Sequence, residues 1–101
     1  MNKRRREKIE KRHADEEWGN LVKSRDNYQC IICGKTKYLN AHHLISRTNK
    51  ELRFDVMNGV SLCPKHHRFS FDFSAHQNPF VFILWLMKNR QEQFEYLKEK
   101  V

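Results

Sequence analysis

The sequence predicts an α+β fold: a core of two short strands and a helix, with one helix before it and one after. Three observations lead there. Two x2 spacings, Cys30-x2-Cys33 and Cys63-x2-His66, can tie distant segments into one cluster. Apolar segments of strand length lead into His42-His43 and into Cys63. Asn78-Pro79 opens a long apolar segment with a cap residue and then the residue best suited to a first helical turn. A chain of 101 residues is expected to be one domain. Within it we expect a basic N-terminal helix or arm over 1–17, the core over 18–78 and a C-terminal helix over 79–101.

Residues 4–24 read as a helix, because Ala14, Trp18, Leu21 and Val22 form an apolar stripe at helical spacing. Before Ala14 only Ile9 is there to bury, so the basic start is expected to protrude. Residues 28–34 form a turn in which Cys30 and Cys33 bracket two isoleucines and Gly34 permits a left-handed bend. Residues 38–45 are a short strand ending in the first histidine pair. Residues 46–58 are mostly polar and read as a loop, and 60–62 as a second strand. Pro64 then suits the start of a helix carrying His66, His67, Arg68 and Phe71. The last helix is expected to run from Asn78 to Lys100. Its first half, 80–87, is apolar on every face and needs cover on several sides. The plain reading is domain core; the functional one is a partner surface or the seam of a homodimer. We prefer core, with some spillover onto a partner.

A domain this small buries only a modest core and gains from a staple. Three cysteines would leave one over in any disulfide scheme. The two-residue spacing fits a metal knuckle, so the cysteines read as thiolates in a reducing cytoplasm. Cys30, Cys33, Cys63 and His66 make a closed tetrahedral set for a structural Zn2+. Metal-binding free energy then becomes folding free energy. The alternative is three buried free cysteines. A cytoplasmic, membrane-free protein is expected, because no apolar segment follows the basic start and the run 80–87 is too short to span a bilayer.

The net charge is +8, typical of a nucleic-acid binder. Residues 3–12 carry seven Lys or Arg against Glu7 and Glu10, so +5 of that charge sits at the start. Arg4, Arg5 and Arg6 are therefore candidate phosphate contacts; the plain alternative is a solvated tail. Lys35, Lys37, Arg47, Lys50, Arg53 and Arg68 surround the histidines and favour an anionic partner there.

Once His66 joins the cysteines, His42, His43 and His67 remain. Neighbours on a strand point to opposite faces, so His42 can ligate a second metal while His43 faces elsewhere. His67 lies about 100° round a helix from His66 and reaches a different site. His42 and His67 would hold one divalent cation with open positions for phosphate oxygens. His43, unligated, can take a proton from water. The cation would polarise the phosphate and stabilise the departing oxygen. That is the minimal equipment for phosphodiester hydrolysis.

In this order, Trp18-x6-Arg25-Asp26, Cys30-x2-Cys33-Gly34, His42-His43, Asn58-Gly59-Val60-x-Leu62-Cys63 and His66-His67 resemble the HNH endonuclease family. These are ββα-metal nucleases, here of the small phage-associated kind with a zinc knuckle. The resemblance covers about residues 18–80. It implies two antiparallel strands and a helix gripping one divalent metal and cutting double-stranded DNA. It implies His43 as general base, His42 as first metal ligand and His67 as later ligand. Asn58 matches the middle asparagine, which either braces the loop under the base or approaches the metal. The metal is left open among Mg2+, Mn2+, Ni2+ and Zn2+. A phage origin would imply packaging or recombination partners and the cytoplasm of a bacterial host.

The sequence departs from the pattern twice. His66 stands where the second knuckle usually has a cysteine, which zinc accepts readily. Phe71 stands where many members carry a further histidine. His76 is the candidate substitute: it could complete the metal site, contact phosphate or sit on the surface. Asp72 is a weaker candidate for the same role. Two other functions compete: a non-catalytic zinc module that binds DNA, and an RNA nuclease. His43 discriminates the first, because a binding module has no use for an unligated imidazole beside a metal.

Overall fold

The computed structural model describes residues 2–101. Helix α1 (Lys3–Arg25) leads into a two-stranded antiparallel sheet, β1 (Asn40–His43) and β2 (Gly59–Leu62). A 3-10 turn at Val56–Asn58 precedes β2, and a single π-helical turn at Lys65–Phe69 follows it. Two helices close the chain, α2 (Pro79–Asn89) and α3 (Gln91–Lys98). The architecture is α+β with one small sheet.

The Asn2 side chain caps α1 by accepting a hydrogen bond from the Arg5 N–H at 2.8 Å. At 1.5 Å per residue, this 23-residue helix is about 35 Å long and accounts for much of the 45 Å long axis. Its basic first half is exposed, whereas Trp18 and Val22, one turn apart, are buried. Leu21, expected on the same stripe, is half-exposed, because the sheet covers only the narrow face that Trp18 and Val22 share. That contact is very close. A Cβ on Gly59 would lie 2.5 Å from Trp18 Cζ2 and 2.6 Å from Val22 Cγ2, so β2 meets α1 with bare backbone.

The end of α1 is latched to β2. Asp26 is buried and accepts from the Ser61 N–H, Arg25 and Arg90. Burial pushes its carboxyl up, but those donors more than reverse this and hold it below its ordinary value. Arg25 also donates to the Val56 and Gly59 carbonyls.

Three expectations need correction. The last helix does not run unbroken to Lys100. Arg90 leaves helical geometry (φ −133°, ψ 52°), and its guanidinium bonds Asp26 at 3.0 Å and Gln93 at 3.1 Å. The buried carboxylate draws the chain into this break. α3 then folds back, so that Gln93 donates to the Met57 and Gly59 carbonyls and Tyr96 to Asp55. Second, the helix after Pro64 is one π-helical turn. The Ser70 N–H closes it on the Lys65 carbonyl at 2.9 Å, and the Ser70 hydroxyl starts the next turn by accepting from Phe73 N–H. Phe71 therefore falls outside it and is 79 % exposed. Third, α2 is covered on one face only: Phe82 and Leu86 are buried, while Phe80, Ile83, Leu84 and Met87 are exposed.

The core is one cluster of Cys30, Val60, Leu62, Cys63, Ala75, Phe82 and Leu86. Two thiols thus sit inside the apolar core itself. Among the described residues, no helix is long and apolar enough to cross a membrane.

Candidate metal centres

Two side-chain clusters could each hold a metal ion: Cys30, Cys33, Cys63 and His66, and separately His42, His67 and His76. Their ligand atoms lie within 4.8 Å of one another in each case.

The first cluster is built by two loops. In the 28–34 turn, the Gly34 N–H bonds the Cys30 carbonyl and the Cys30 N–H bonds the Lys35 carbonyl. Gly34 takes the left-handed bend (φ 78°) that closes this turn, with Cys30 buried and Cys33 exposed. Cys63 leaves β2, and the π-helical turn brings His66 back beside it. Cys33 Sγ lies 3.7 Å from Cys63 Sγ, and His66 Nδ1 lies 3.3 Å from Cys63 Sγ and 3.7 Å from Cys30 Sγ. A tetrahedral zinc with ordinary bond lengths requires S···S edges of about 3.8 Å and S···N edges of about 3.6 Å. The residues fit the ion. Burial raises the Cys30 thiol and favours its neutral form in the core, so a metal bound there must displace that proton. This group is compatible with a structural metal such as zinc.

The second cluster is built on the other side of the same turn. His42 is the next-to-last residue of β1, beside His43, with Val60 opposite it in the register. The His67 N–H bonds the Cys63 carbonyl, which fixes the turn. Ala75 and His76 then bond back to the His66 and His67 carbonyls at 2.9 and 3.0 Å, which lays His76 alongside His67. Their Nε2 atoms are 3.1 Å apart. The His42 ring centroid lies 5.2 Å from that of His67 and 5.1 Å from that of His76. Two imidazole nitrogens on one metal are about 3.0–3.4 Å apart, and the His67–His76 pair falls in that range. Burial, then repulsion from His67 and His76, pushes His42 down to about 3. Burial and His76 push His67 down to about 4. Their surroundings thus favour the neutral imidazole that metal binding requires. Asp72 is not part of the cluster; its carbonyl accepts from Asn78 Nδ2.

His43 faces away from this cluster. Its ring stacks on Trp18 with centroids 3.7 Å apart and planes 5° from parallel. Its Nε2 lies 2.8 Å from the Arg53 carbonyl oxygen. A carbonyl only accepts, so Nε2 carries the hydrogen and Nδ1 keeps its lone pair. Burial lowers the His43 pKa, against opposing effects of the Arg53 carbonyl and Asp15. The seat is itself fixed: Arg53 makes a two-point ion pair with Asp15 at 3.1 and 2.7 Å, and Trp18 Nε1 donates to the Asp55 carbonyl at 2.8 Å.

Asn58 is fully buried and braces the loop. Its Oδ1 accepts from the Ile45 N–H at 2.7 Å, and its Nδ2 donates to the Ile45 and Leu52 carbonyls. Of the two roles open to it, these contacts are those of the brace.

The candidate phosphate contacts fall in three places. Arg4, Arg5 and Arg6 lie on the exposed start of α1. Lys35 and Lys37 lie on the knuckle, and Arg68 on the π-helical turn, all exposed. Arg47 and Lys50 are exposed in the loop before β2, whereas Arg53 is occupied by Asp15. Sequence reasoning missed Asp15, Asp55, Arg90 and Gln93. Only the helical spacing of Asp15 and Trp18 hinted that Asp15 shares the sheet-facing side. No protein-family model, curated protein or solved structure matches this chain.

Proposed function

We propose that this protein is a metal-dependent DNA endonuclease of the HNH kind, with β1, β2 and the π-helical turn as a reduced ββα-metal core. One observation carries the reading: consecutive residues of β1 face apart, His42 into the three-imidazole cluster and His43 onto Trp18 with Nδ1 free. That second arrangement leaves a ring nitrogen with its lone pair, as a general base requires.

In this reading His42, His67 and His76 hold a divalent cation. When bound, the ion supplies positive charge to a phosphate oxygen and to the leaving oxygen. An all-imidazole set favours Zn2+ or Ni2+ over Mg2+, which prefers oxygen ligands. Nδ1 of His43 takes the proton from the attacking water. The Arg53 carbonyl fixes the tautomer in which this is possible, and the Trp18 face fixes the ring plane. Asp15 and Asn58 keep the loop that carries the carbonyl in place.

The test is incubation of zinc-loaded protein with supercoiled plasmid and added Mg2+, Mn2+, Ni2+ or Zn2+, with His43→Ala as control. Conversion to open-circular or linear DNA, lost in the variant, supports the reading. No cleavage with any of the four metals, or equal cleavage by the variant, overturns it and leaves the zinc-stabilised DNA-binding module.

A further inference from the structure

A basic groove crosses the knuckle and ends at the histidine cluster. Its first part, about 490 Å3, is lined by Lys35, Lys37 and Lys65. Its second part, about 440 Å3, is lined by His67, Arg68 and Phe69. Tyr38 and Pro64 line both, so the two parts adjoin. Four cations and no carboxylate line the groove.

Two aromatic side chains stand in it with little packing of their own. Tyr38 is 83 % exposed and Phe69 is 72 % exposed. Tyr38 also holds a left-handed backbone (φ 57°), a conformation that is costly for a bulky residue and free for glycine. A strained residue whose side chain gains no packing points to a use outside the fold. Cations that follow a phosphate backbone, interleaved with aromatic faces for bases, are the chemistry of single-strand binding. A duplex offers the same phosphates but keeps its base faces stacked inside.

We propose that this groove binds an unpaired nucleic-acid strand, with Tyr38 and Phe69 as base-stacking platforms, and delivers the strand to His67. The inference deepens the nuclease reading by naming its substrate as one with a single-stranded segment, and it rests on that reading only for the delivery.

The test uses protein carrying one equivalent of zinc, enough for the cysteine cluster alone, and no further divalent cation, so that binding is read apart from cleavage. The probes are a fluorescent oligothymidylate and an oligouridylate of about twelve nucleotides, and a DNA duplex of equal length. Loss of one stacking contact should weaken single-strand binding by about 5- to 150-fold in Tyr38→Gly and in Phe69→Ala. Duplex binding should change by less than about twofold, because α1 and the lysines are intact. Tyr38→Trp should restore the loss. Tyr38→Gly should melt no lower than the wild type, since glycine relieves the strain, and this excludes misfolding as the cause. Tighter binding of the oligouridylate would keep the groove and assign the strand as RNA. Wild-type single-strand affinity in both variants overturns the proposal, and so does an equal loss for strand and duplex. Selective binding without cleavage would sink the nuclease reading alone; cleavage without selective binding would sink this one alone.

Discussion

The two clusters share a scaffold and differ in how finished they are. Cys30, Cys33, Cys63 and His66 offer four ligands, three of them soft thiolates, and two of those thiols belong to the hydrophobic core. His42, His67 and His76 offer three imidazoles, with His42 half-buried and His76 exposed. A complete donor set leaves a metal nothing to do but hold the chain; an incomplete one leaves positions for a substrate. The division runs through single peptide bonds. His66 and His67 are neighbours on one turn and serve different clusters, and His42 and His43 split between a cluster and a stacked seat. The two clusters are thus separable by mutation even though their residues are adjacent.

The largest expected effect separates the clusters most sharply. Structural zinc contributes apparent free energies of about 10–16 kcal/mol in small domains. Net stability of a whole domain is only about 5–15 kcal/mol. Cys63→Ser should therefore abolish the cooperative thermal transition. The double variant His67→Ala, His76→Ala should keep it, together with about one equivalent of zinc by elemental analysis. A folded Cys63→Ser protein, or a wild type purified with less than about half an equivalent of zinc, would break the distinction.

Next in size is His43→Ala. Loss of a general base costs about 10²–10⁴-fold in rate. The cleavage rate at saturating metal should fall by that factor, with metal content unchanged at both clusters. Loss of the added metal in this variant would instead make His43 a ligand and move the base elsewhere.

Much of this was legible in the sequence because it was local. The x2 spacings brought out the four staple ligands. Strand alternation separated His42 from His43, and Pro64 marked the start of the turn that separates His66 from His67. His76 was visible as a candidate because a histidine shortly before Asn78-Pro79 could stand in for the one missing at Phe71, with Asp72 as the weaker alternative. What was not legible depends on distant partners. Arg90 breaks the last helix to reach Asp26, 64 residues earlier, and no local pattern announces that. The seat of His43 needs Arg53 held by Asp15 across 38 residues. The backbone of Tyr38 was also hidden, since propensity rarely places a tyrosine in a left-handed position, although Tyr28 takes one here as well.

Asn58 gives a middle-sized test of whether the brace is structural. Asn58→Ala would strand the Ile45 N–H and the Ile45 and Leu52 carbonyls in a buried site. Unsatisfied buried groups cost about 1–3 kcal/mol each, and partial relaxation should leave a net loss of about 2–4 kcal/mol. Denaturant midpoints at constant slope would measure it. A loss below about 0.5 kcal/mol would remove the brace and return Asn58 to the neighbourhood of the metal.

The smallest expected effect is an absence, and it sharpens the comparison from the side of protons. Metal competes with protons for its ligands. An ordinary imidazole with a pKa of about 6.5 is about nine-tenths protonated at pH 5.5. Three such ligands would together lose about a thousandfold in affinity between pH 7.5 and 5.5. Here His42 is held down to about 3 and His67 to about 4, so neither takes up a proton in that window. His76 is also lowered, and contributes at most the ordinary tenfold or so. Affinity of the zinc-loaded protein for added Ni2+, measured by calorimetry, should therefore fall by less than about tenfold over this range. The thiolate cluster should behave in the opposite way. Cys30 is raised by burial, whereas Cys33, despite its desolvation, is lowered by hydrogen bonds. Since one thiol of the set binds its proton tightly, acid should release this metal first. A thousandfold loss of Ni2+ affinity would mean that the three imidazoles titrate like solvent-exposed ones and are not held together as a site.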